Sequence, residues 1–176
     1  MGVTRRTIHG TLLYLFNRGV LIIGESGTGK SRIARDMLTH MDNFGQCGLV
    51  RSTRLVADDI IEVETTSKGP VGTAPKALYG LLEISGMGII DVHRIFGPSM
   101  VRRSSSIDII VSLEGSPDAL ADAPKTTETM DSLFGMDIPV IHLAAGISAN
   151  TVAASIAEHI MREAGIEAPV LDALVT

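Results

Sequence analysis

Hydrophobic positions come in short runs cut by glycine and proline, and the spacing changes from run to run. Residues 11–16 (TLLYLF) read as a strand, Asn17-Arg18-Gly19 as a turn, and residues 20–23 as a second strand. That run breaks at Gly24. From Ser31 to residue 41 the apolar positions Ile33, Met37, Leu38 and Met41 fall at helical spacing. Residues 40–54 have weak periodicity and several glycines, as a loop would. Residues 55–57 read as a short buried strand. Residues 60–64 alternate as a separate strand, with Ile61 and Val63 on its apolar side. Residues 65–75 contain KGPVGTAP and predict an exposed, mobile loop. Two apolar runs, 81–84 and 89–92, are split by Gly86 and Gly88. Residues 107–113 form the clearest strand of the second half. Residues 115–137 are polar, with Pro117 and Pro124, and predict at most a short helix. Residues 140–143 predict a strand. The strongest helix spans 149–163: Val152, Ile156 and Ile160 share a stripe that Ala153, Ala157 and Met161 widen, and Gly165 is placed to end it. No internal repeat or low-complexity tract is visible.

Composition narrows the class. With 176 residues and 45% hydrophobic content, the chain is expected to fold as one domain over 1–176 with its own core. The net charge is −5, and the pairs Arg5-Arg6 and Arg102-Arg103 are too small a footprint for nucleic acid. Cys47 is the only cysteine, which excludes an internal disulfide and a thiolate zinc set. The five histidines never fall at HxxxH spacing. The longest apolar run is far short of the roughly 18 residues of a membrane span. A soluble, cytoplasmic protein without membrane contact is expected.

The break at Gly24 carries the first chemistry. GESGTGKS, formed by Gly24, Glu25, Ser26, Gly27, Thr28, Gly29, Lys30 and Ser31, satisfies G-x-x-x-x-G-K-[ST] between a predicted strand and a predicted helix. Glycines let backbone N–H groups converge on phosphate oxygens, and the helix start adds its dipole. Lys30 would reach the terminal phosphates of ATP, and the Ser31 hydroxyl would ligate Mg²⁺.

A second conventional nucleotide motif is an apolar strand ending in an acid. Glu114 ends one such strand, and Asp58-Asp59 end another. The adjacent aspartates would point to opposite faces of an extended strand and so serve two roles, one on a metal and one on a proton; a turn with solvated carboxylates is the alternative. Glu83 sits in the apolar LYGLLEISGMGII. It is either a buried carboxylate with a partner or metal, or an outward-facing strand residue. Arg102-Arg103 reads as a phosphate or acceptor clamp, or as an exposed basic pair. His9 alone says little.

Taken in order, IHG at 8–10, GESGTGKS, RLVADD at 54–59, LLEISGMGIIDV at 81–92 and FGPSMVR at 96–102 resemble the catalytic domain of HPr kinase/phosphorylase. The likeness runs from about His9 to Leu113 and continues weakly to the last helix. It implies an α/β P-loop domain, a mixed β-sheet flanked by helices, related to phosphoenolpyruvate carboxykinase. It also implies an ATP- and Mg²⁺-dependent kinase that phosphorylates a serine of HPr, the phosphocarrier of the sugar phosphotransferase system. The reverse reaction would use inorganic phosphate and give pyrophosphate, and the assembly would be a hexamer. Residue by residue, residues 24–31 hold phosphates, with Lys30 also catalytic. Ser31 and Glu83 fall at the metal positions. Asp59 falls at the proton-transfer position, Asp58 and His9 support it, and Arg102 matches the signature arginine. Like-charge repulsion from the neighbouring carboxylate would raise the proton affinity of the transfer group.

The pattern also departs from the family. Ser85 stands where LEIRG has arginine, and GISAN (146–150) stands where a GRN-like segment is usual. The loss of two cations predicts weaker phosphorolysis than kinase activity. The family's N-terminal domain has no counterpart in the resemblance, as expected either of a short form or of a fragment. Two other classes compete. One is an ATP-binding sensor with little turnover. The other is a small-molecule P-loop kinase, which would want an arginine-rich lid, whereas residues 115–137 carry only Lys125.

Overall fold

The structure is a computed structural model describing residues 5–39, 53–115, 128–131 and 135–165. Its framework is an eight-stranded mixed sheet. In chain order the strands are β1 (Arg5–Leu15), β2 (Arg18–Gly24), β3 (Arg54–Thr66), β4 (Gly69–Thr73), β7 (Ser104–Ser106), β8 (Ile109–Glu114), β9 (Glu128–Asp131) and β10 (Ile138–Ala144). Across the sheet they lie β7-β4-β3-β1-β2-β8-β10-β9. Strands β5 (Leu81–Ile84) and β6 (Gly88–Asp91) form a separate antiparallel hairpin. The helices are α1 (Lys30–Thr39), a short α2 (Val92–Phe96) and α3 (Ala149–Glu163).

β1 and β2 form a hairpin whose turn is Phe16-Asn17, both with positive φ (52° and 61°), the twist that suits a two-residue connection. The expected turn at 17–19 therefore moves back by one residue. Gly19 answers to a different need: a Cβ there would lie 1.6 Å from the Ser106 carbonyl oxygen, so glycine allows β7 to approach.

Alternation along the central strands feeds two cores. Leu13, Leu15, Val20, Ile22, Val111 and Leu113 pack with Ile33, Met37 and Leu38 of α1 and Val152 and Ile156 of α3. Leu12, Leu21, Ile110 and Val140 point the other way and join Val56, Ile61, Val63 and Ile107. Each fully buried aliphatic side chain contributes about 1.5–3 kcal/mol. Ser148 caps α3, its hydroxyl oxygen accepting from the Thr151 N–H at 3.1 Å. Gly165 follows α3 at φ 70°.

Three expectations are corrected. The two short strands at 55–57 and 60–64 are one strand, β3; it continues through a bulge where Leu12 pairs with Ala57 but Leu13 with Leu55. The loop expected over 65–75 is largely β4, which is paired on both sides by β3 and β7. Within the polar 115–137 segment the described part includes a strand, β9, antiparallel to β10. Of the loop expected over 40–54, residues 40–52 lie outside the described residues and Arg54 already begins β3.

Candidate functional site

β2, β8 and β10 are adjacent and parallel, so their C-terminal ends open on one side. Loops leaving the ends of parallel strands are where α/β sheets bind ligands. The loop after β2 is GESGTGKS. At Gly24 (φ 154°) a Cβ would lie 2.8 Å from the Leu113 carbonyl oxygen and 2.9 Å from the Thr28 hydroxyl, so the loop can leave the sheet only through glycine. Thr28 is buried and closes the loop, its hydroxyl donating to the Glu25 carbonyl at 2.9 Å. The Lys30 ammonium donates to the Gly24 and Glu25 carbonyls, each at 2.8 Å. Helix α1 begins on this loop and directs its free N–H groups into a cleft of about 730 Å³.

The cleft gathers most of the residues singled out in the sequence. Ser26, Gly27, Thr28, Gly29, Lys30 and Ser31 line it, together with His9, Asp58, Asp59 and Glu83. Glu25 enters through its carbonyl bonds. Arg102 does not line the cleft: its side chain lies over Tyr14, 4.0 Å from the ring centre, and its Nε donates to the Ser104 carbonyl at 2.9 Å. Glu114, the other acidic strand end, is also outside; it pairs with His142.

The aspartates do not face opposite ways, because the backbone is not extended between them. Asp59 has φ 66°, in the left-handed region, and this local reversal brings both carboxylates to one cleft. Their surroundings differ sharply. Asp58 is only 4% exposed. Its Oδ1 accepts from the Thr11 hydroxyl at 2.7 Å, its Oδ2 accepts from the Glu83 N–H at 3.1 Å, and the Ser31 hydroxyl lies 3.1–3.2 Å from both oxygens. Asp59 is 59% exposed, with its Oδ1 3.6 Å from His9 Nδ1 at the rim. The carboxyl whose proton affinity is raised is Asp58. Burial is the main cause, opposed by hydrogen bonds from Thr11, the Glu83 and Asp59 N–H groups and Ser31. The expected like-charge cause does not enter.

Glu83 is not the buried carboxylate its apolar neighbourhood suggested. On β5 its side chain is exposed toward the cleft while Leu82 and Ile84 are buried. Ser31 and Glu83, expected at the metal positions, both line the cleft and offer the hard oxygen donors that Mg²⁺ would take. Among the described residues no three His, Cys, Asp or Glu side chains gather into a metal cluster. Magnesium held with substrate phosphates needs only one or two carboxylates.

Two cleft residues, Arg32 and Arg35, and a residue behind the cleft, Thr11, were missed in the sequence. Thr11 is fully buried beneath Asp58. Arg32 donates from one terminal nitrogen to the Gly146 and Ile147 carbonyls, at 3.0 and 3.2 Å. Arg35 reaches the cleft but is held by Asp36 through two bonds of 2.9 and 2.7 Å. The helical spacing of α1 placed both arginines within two turns of the loop, and that was the available signal.

Comparison with known proteins bears on the family and the fold. The family model described as HPr Serine kinase C-terminal domain matches residues 3–174. The HPr kinase/phosphorylase of Lactobacillus johnsonii is 38% identical over 148 residues, covering 83% of this chain and 43% of that protein. The HPr kinase/phosphorylase of Lactiplantibacillus plantarum is 38% identical over 141 residues, covering 79% and 41%. The chain thus spans less than half the length of these relatives. A solved structure described as the Hpr(Ser) kinase/phosphatase from Coxiella burnetii superposes with a TM-score of 0.73 at 25% identity, covering 91% of this chain and 93% of that one. Site, sequence and fold together place this chain in the HPr serine kinase C-terminal domain family.

Proposed function

We propose that this chain is a P-loop protein serine kinase domain that transfers the terminal phosphoryl group of ATP to a serine of an HPr-type phosphocarrier, in regulation of phosphotransferase-system carbohydrate metabolism. The observation that carries the reading is Asp58: a buried carboxylate of raised proton affinity, hydrogen-bonded to Ser31 of the phosphate loop. A group that takes a hydroxyl proton near neutral pH needs that property.

The roles follow from position. The loop N–H groups and Lys30 hold the phosphates. Mg²⁺, held by Ser31 and Glu83 together with substrate phosphates, would offset charge on the transferring group. Asp58 takes the serine proton as the new O–P bond forms, and the leaving ADP keeps the bridging oxygen. Asp59 and His9, at the rim, orient the incoming serine. Proton transfer is therefore assigned to Asp58 rather than Asp59. Arg102 has no part in this cleft as built from one chain.

Reverse phosphorolysis would return the proton from Asp58 while inorganic phosphate attacks the phosphoserine and leaves as pyrophosphate. The absence of arginine at Ser85 and in 146–150 makes this the slower direction. The chain acts as one catalytic domain in the cytoplasm and, by family likeness, in a hexamer.

The deciding experiment incubates the protein with labelled ATP, Mg²⁺ and HPr proteins, comparing wild type with Asp58→Asn and Asp59→Asn. Label should appear on HPr serine, with Asp58→Asn lowering transfer about 10²–10⁴-fold and Asp59→Asn lowering it less. ATP binding with no transfer to any acceptor would leave the sensor reading standing. Release of pyrophosphate from phospho-HPr and phosphate as fast as the forward reaction would overturn the expected bias.

A further inference from the structure

Three described serines line the cleft: Ser26, Ser31 and Ser85. Two are accounted for. Ser31 is bonded to both Asp58 oxygens, and Ser26 belongs to the loop that wraps the phosphates. Ser85 has no such role. It stands where the LEIRG pattern has arginine. It is exposed, and among the described residues no hydrogen bond engages its hydroxyl.

Its place on the hairpin follows from alternation. Along β5, Leu82 and Ile84 are buried and Glu83 is turned to the cleft, so the next residue, Ser85, returns to the cleft side. It lies two residues, about 7 Å of strand, beyond the carboxylate expected at the metal position. The turn that carries it is closed by the Met87 N–H donating to the Ile84 carbonyl at 2.9 Å. Gly86 and Gly88 have φ 80° and 85°, and a Cβ at either would meet no atom within 4 Å. The turn therefore projects free of packing, with room to carry a hydroxyl toward a bound phosphate. A cation stands beside it: Arg35 Nη1 donates to the Met87 Sδ at 3.6 Å. Lys30 and Arg32 line the same cleft.

We propose that Ser85 is an autophosphorylation site: without a carrier protein, the chain transfers the terminal phosphoryl group of its bound ATP to its own Ser85, and the phosphoserine closes the cleft to nucleotide. The proposal rests on the kinase reading. The Ser85 Oγ forms the new O–P bond as the bond from the γ-phosphorus to the β–γ bridging oxygen breaks. ADP leaves with that oxygen, and the hydroxyl proton passes to the carboxylate that serves the carrier serine. Donor and acceptor share one cleft, so the transfer is intramolecular. The phosphoserine brings up to two negative charges and three acceptor oxygens to Arg35, Lys30 and Arg32. Those are the cations that nucleotide phosphates need. An arginine at this position would add a cation to the cleft; a serine can be converted into an anion there.

The test incubates the chain with labelled ATP and Mg²⁺, with and without HPr, and locates phosphate by peptide mass spectrometry in wild type, Ser85→Ala, Ser85→Thr and Lys30→Ala. Without HPr, wild type should take a single phosphate, on Ser85. Ser85→Thr should take it at the same position, and Ser85→Ala and Lys30→Ala should take none. The modified fraction at a fixed time should not change on about tenfold dilution of the protein. Freed of nucleotide, the modified chain should bind a fluorescent ATP analogue about tenfold more weakly than the unmodified chain, and Ser85→Ala treated in the same way should show no such loss. Phosphate on another residue, modification that slows on dilution, transfer to HPr with Ser85 unmodified, or full modification with unchanged nucleotide affinity overturns the proposal. Phosphate on Ser85 with none passing to any HPr would instead overturn the HPr reading and leave this one standing. Transfer to neither overturns both.

Discussion

The proposed role of Asp58 sets chemistry against stability. Its carboxyl binds a proton more tightly in the folded chain than in the unfolded one, where the ordinary value is 3.8. Its contribution to stability is therefore greatest below that value and is lost as pH rises through the raised folded value. Under the proposed role activity would have the opposite sign, because only the ionised form could accept a serine proton: transfer should fall as pH drops through the same raised value. Asp58→Asn removes the titration. In Mg²⁺-free buffer, the melting temperature of wild type should fall relative to the variant as pH rises from about 4 to 7; transfer, measured separately with Mg²⁺, should be about 10²–10⁴-fold lower in the variant. Parallel pH dependence of the two melting curves would contradict the burial argument. Lys30 belongs to the same scale. Its ammonium is already held by loop carbonyls at 2.8 Å, so it sits where phosphate oxygens would compete for it. Lys30→Ala should weaken ATP binding at least tenfold, read by titration with a fluorescent analogue.

At the level of elements, what was legible depended on whether the information was contiguous. The second half of β1, and β2, β8, β10 and both long helices, announced themselves because each carries its own periodicity, whereas residues 5–10 of β1 did not. β4 did not: GPVGT has the composition of a loop, and its strand character comes from ladders supplied by β3 and β7. The phosphate loop was legible because its eight residues are consecutive. The Thr11–Asp58 contact was not, since it depends on a cross-strand register between residues 47 positions apart. The left-handed backbone at Asp59 was hidden for a related reason, as an Asp-Asp pair in a β-like sequence gives no sign of a reversal. Close approach of elements is equally silent in the sequence. Gly19 read as a turn residue, yet a methyl group there would overlap the Ser106 carbonyl. Gly19→Ala should force β7 away from β2 and cost about 3 kcal/mol or more, measured by urea unfolding. Gly27→Ala, where the space around the Cβ is open, should leave packing intact and strain only the phosphate loop.

For the whole molecule, the question is how two separate parts of the sheet come to share one ligand site. The phosphate loop follows β2, and the 146–150 turn follows β10, with β8 between them. Their joint is made of three hydrogen bonds: Gly146 N–H to the Thr28 carbonyl at 3.4 Å, and Arg32 to the carbonyls of Gly146 and Ile147. Arg32 thus ties the start of α1 to the entry of α3. Its guanidinium lies over the loop, with Nε 3.5 Å from where a Gly29 Cβ would be. This bears on the cations missing at Ser85 and in 146–150. Both segments reach the cleft, and α1 brings Arg32 and Arg35 to the same cleft. The two replacements are not equal. Arg35 is already held by Asp36 in a close ion pair, whereas the Arg32 guanidinium donates to the neutral carbonyls of Gly146 and Ile147, so its charge is the less compensated. Arg32→Gln should therefore weaken pyrophosphate and ATP binding by about tenfold, the scale of one charge-assisted contact, and Arg35→Gln should have a smaller effect. Calorimetric titration with Mg²⁺-pyrophosphate measures the charge alone, and the ratio of ATP to pyrophosphate losses separates it from the joint. Equal losses mean that Arg32 acts through the phosphates, while a loss confined to ATP means that it acts by holding the 146–150 turn against the nucleoside end.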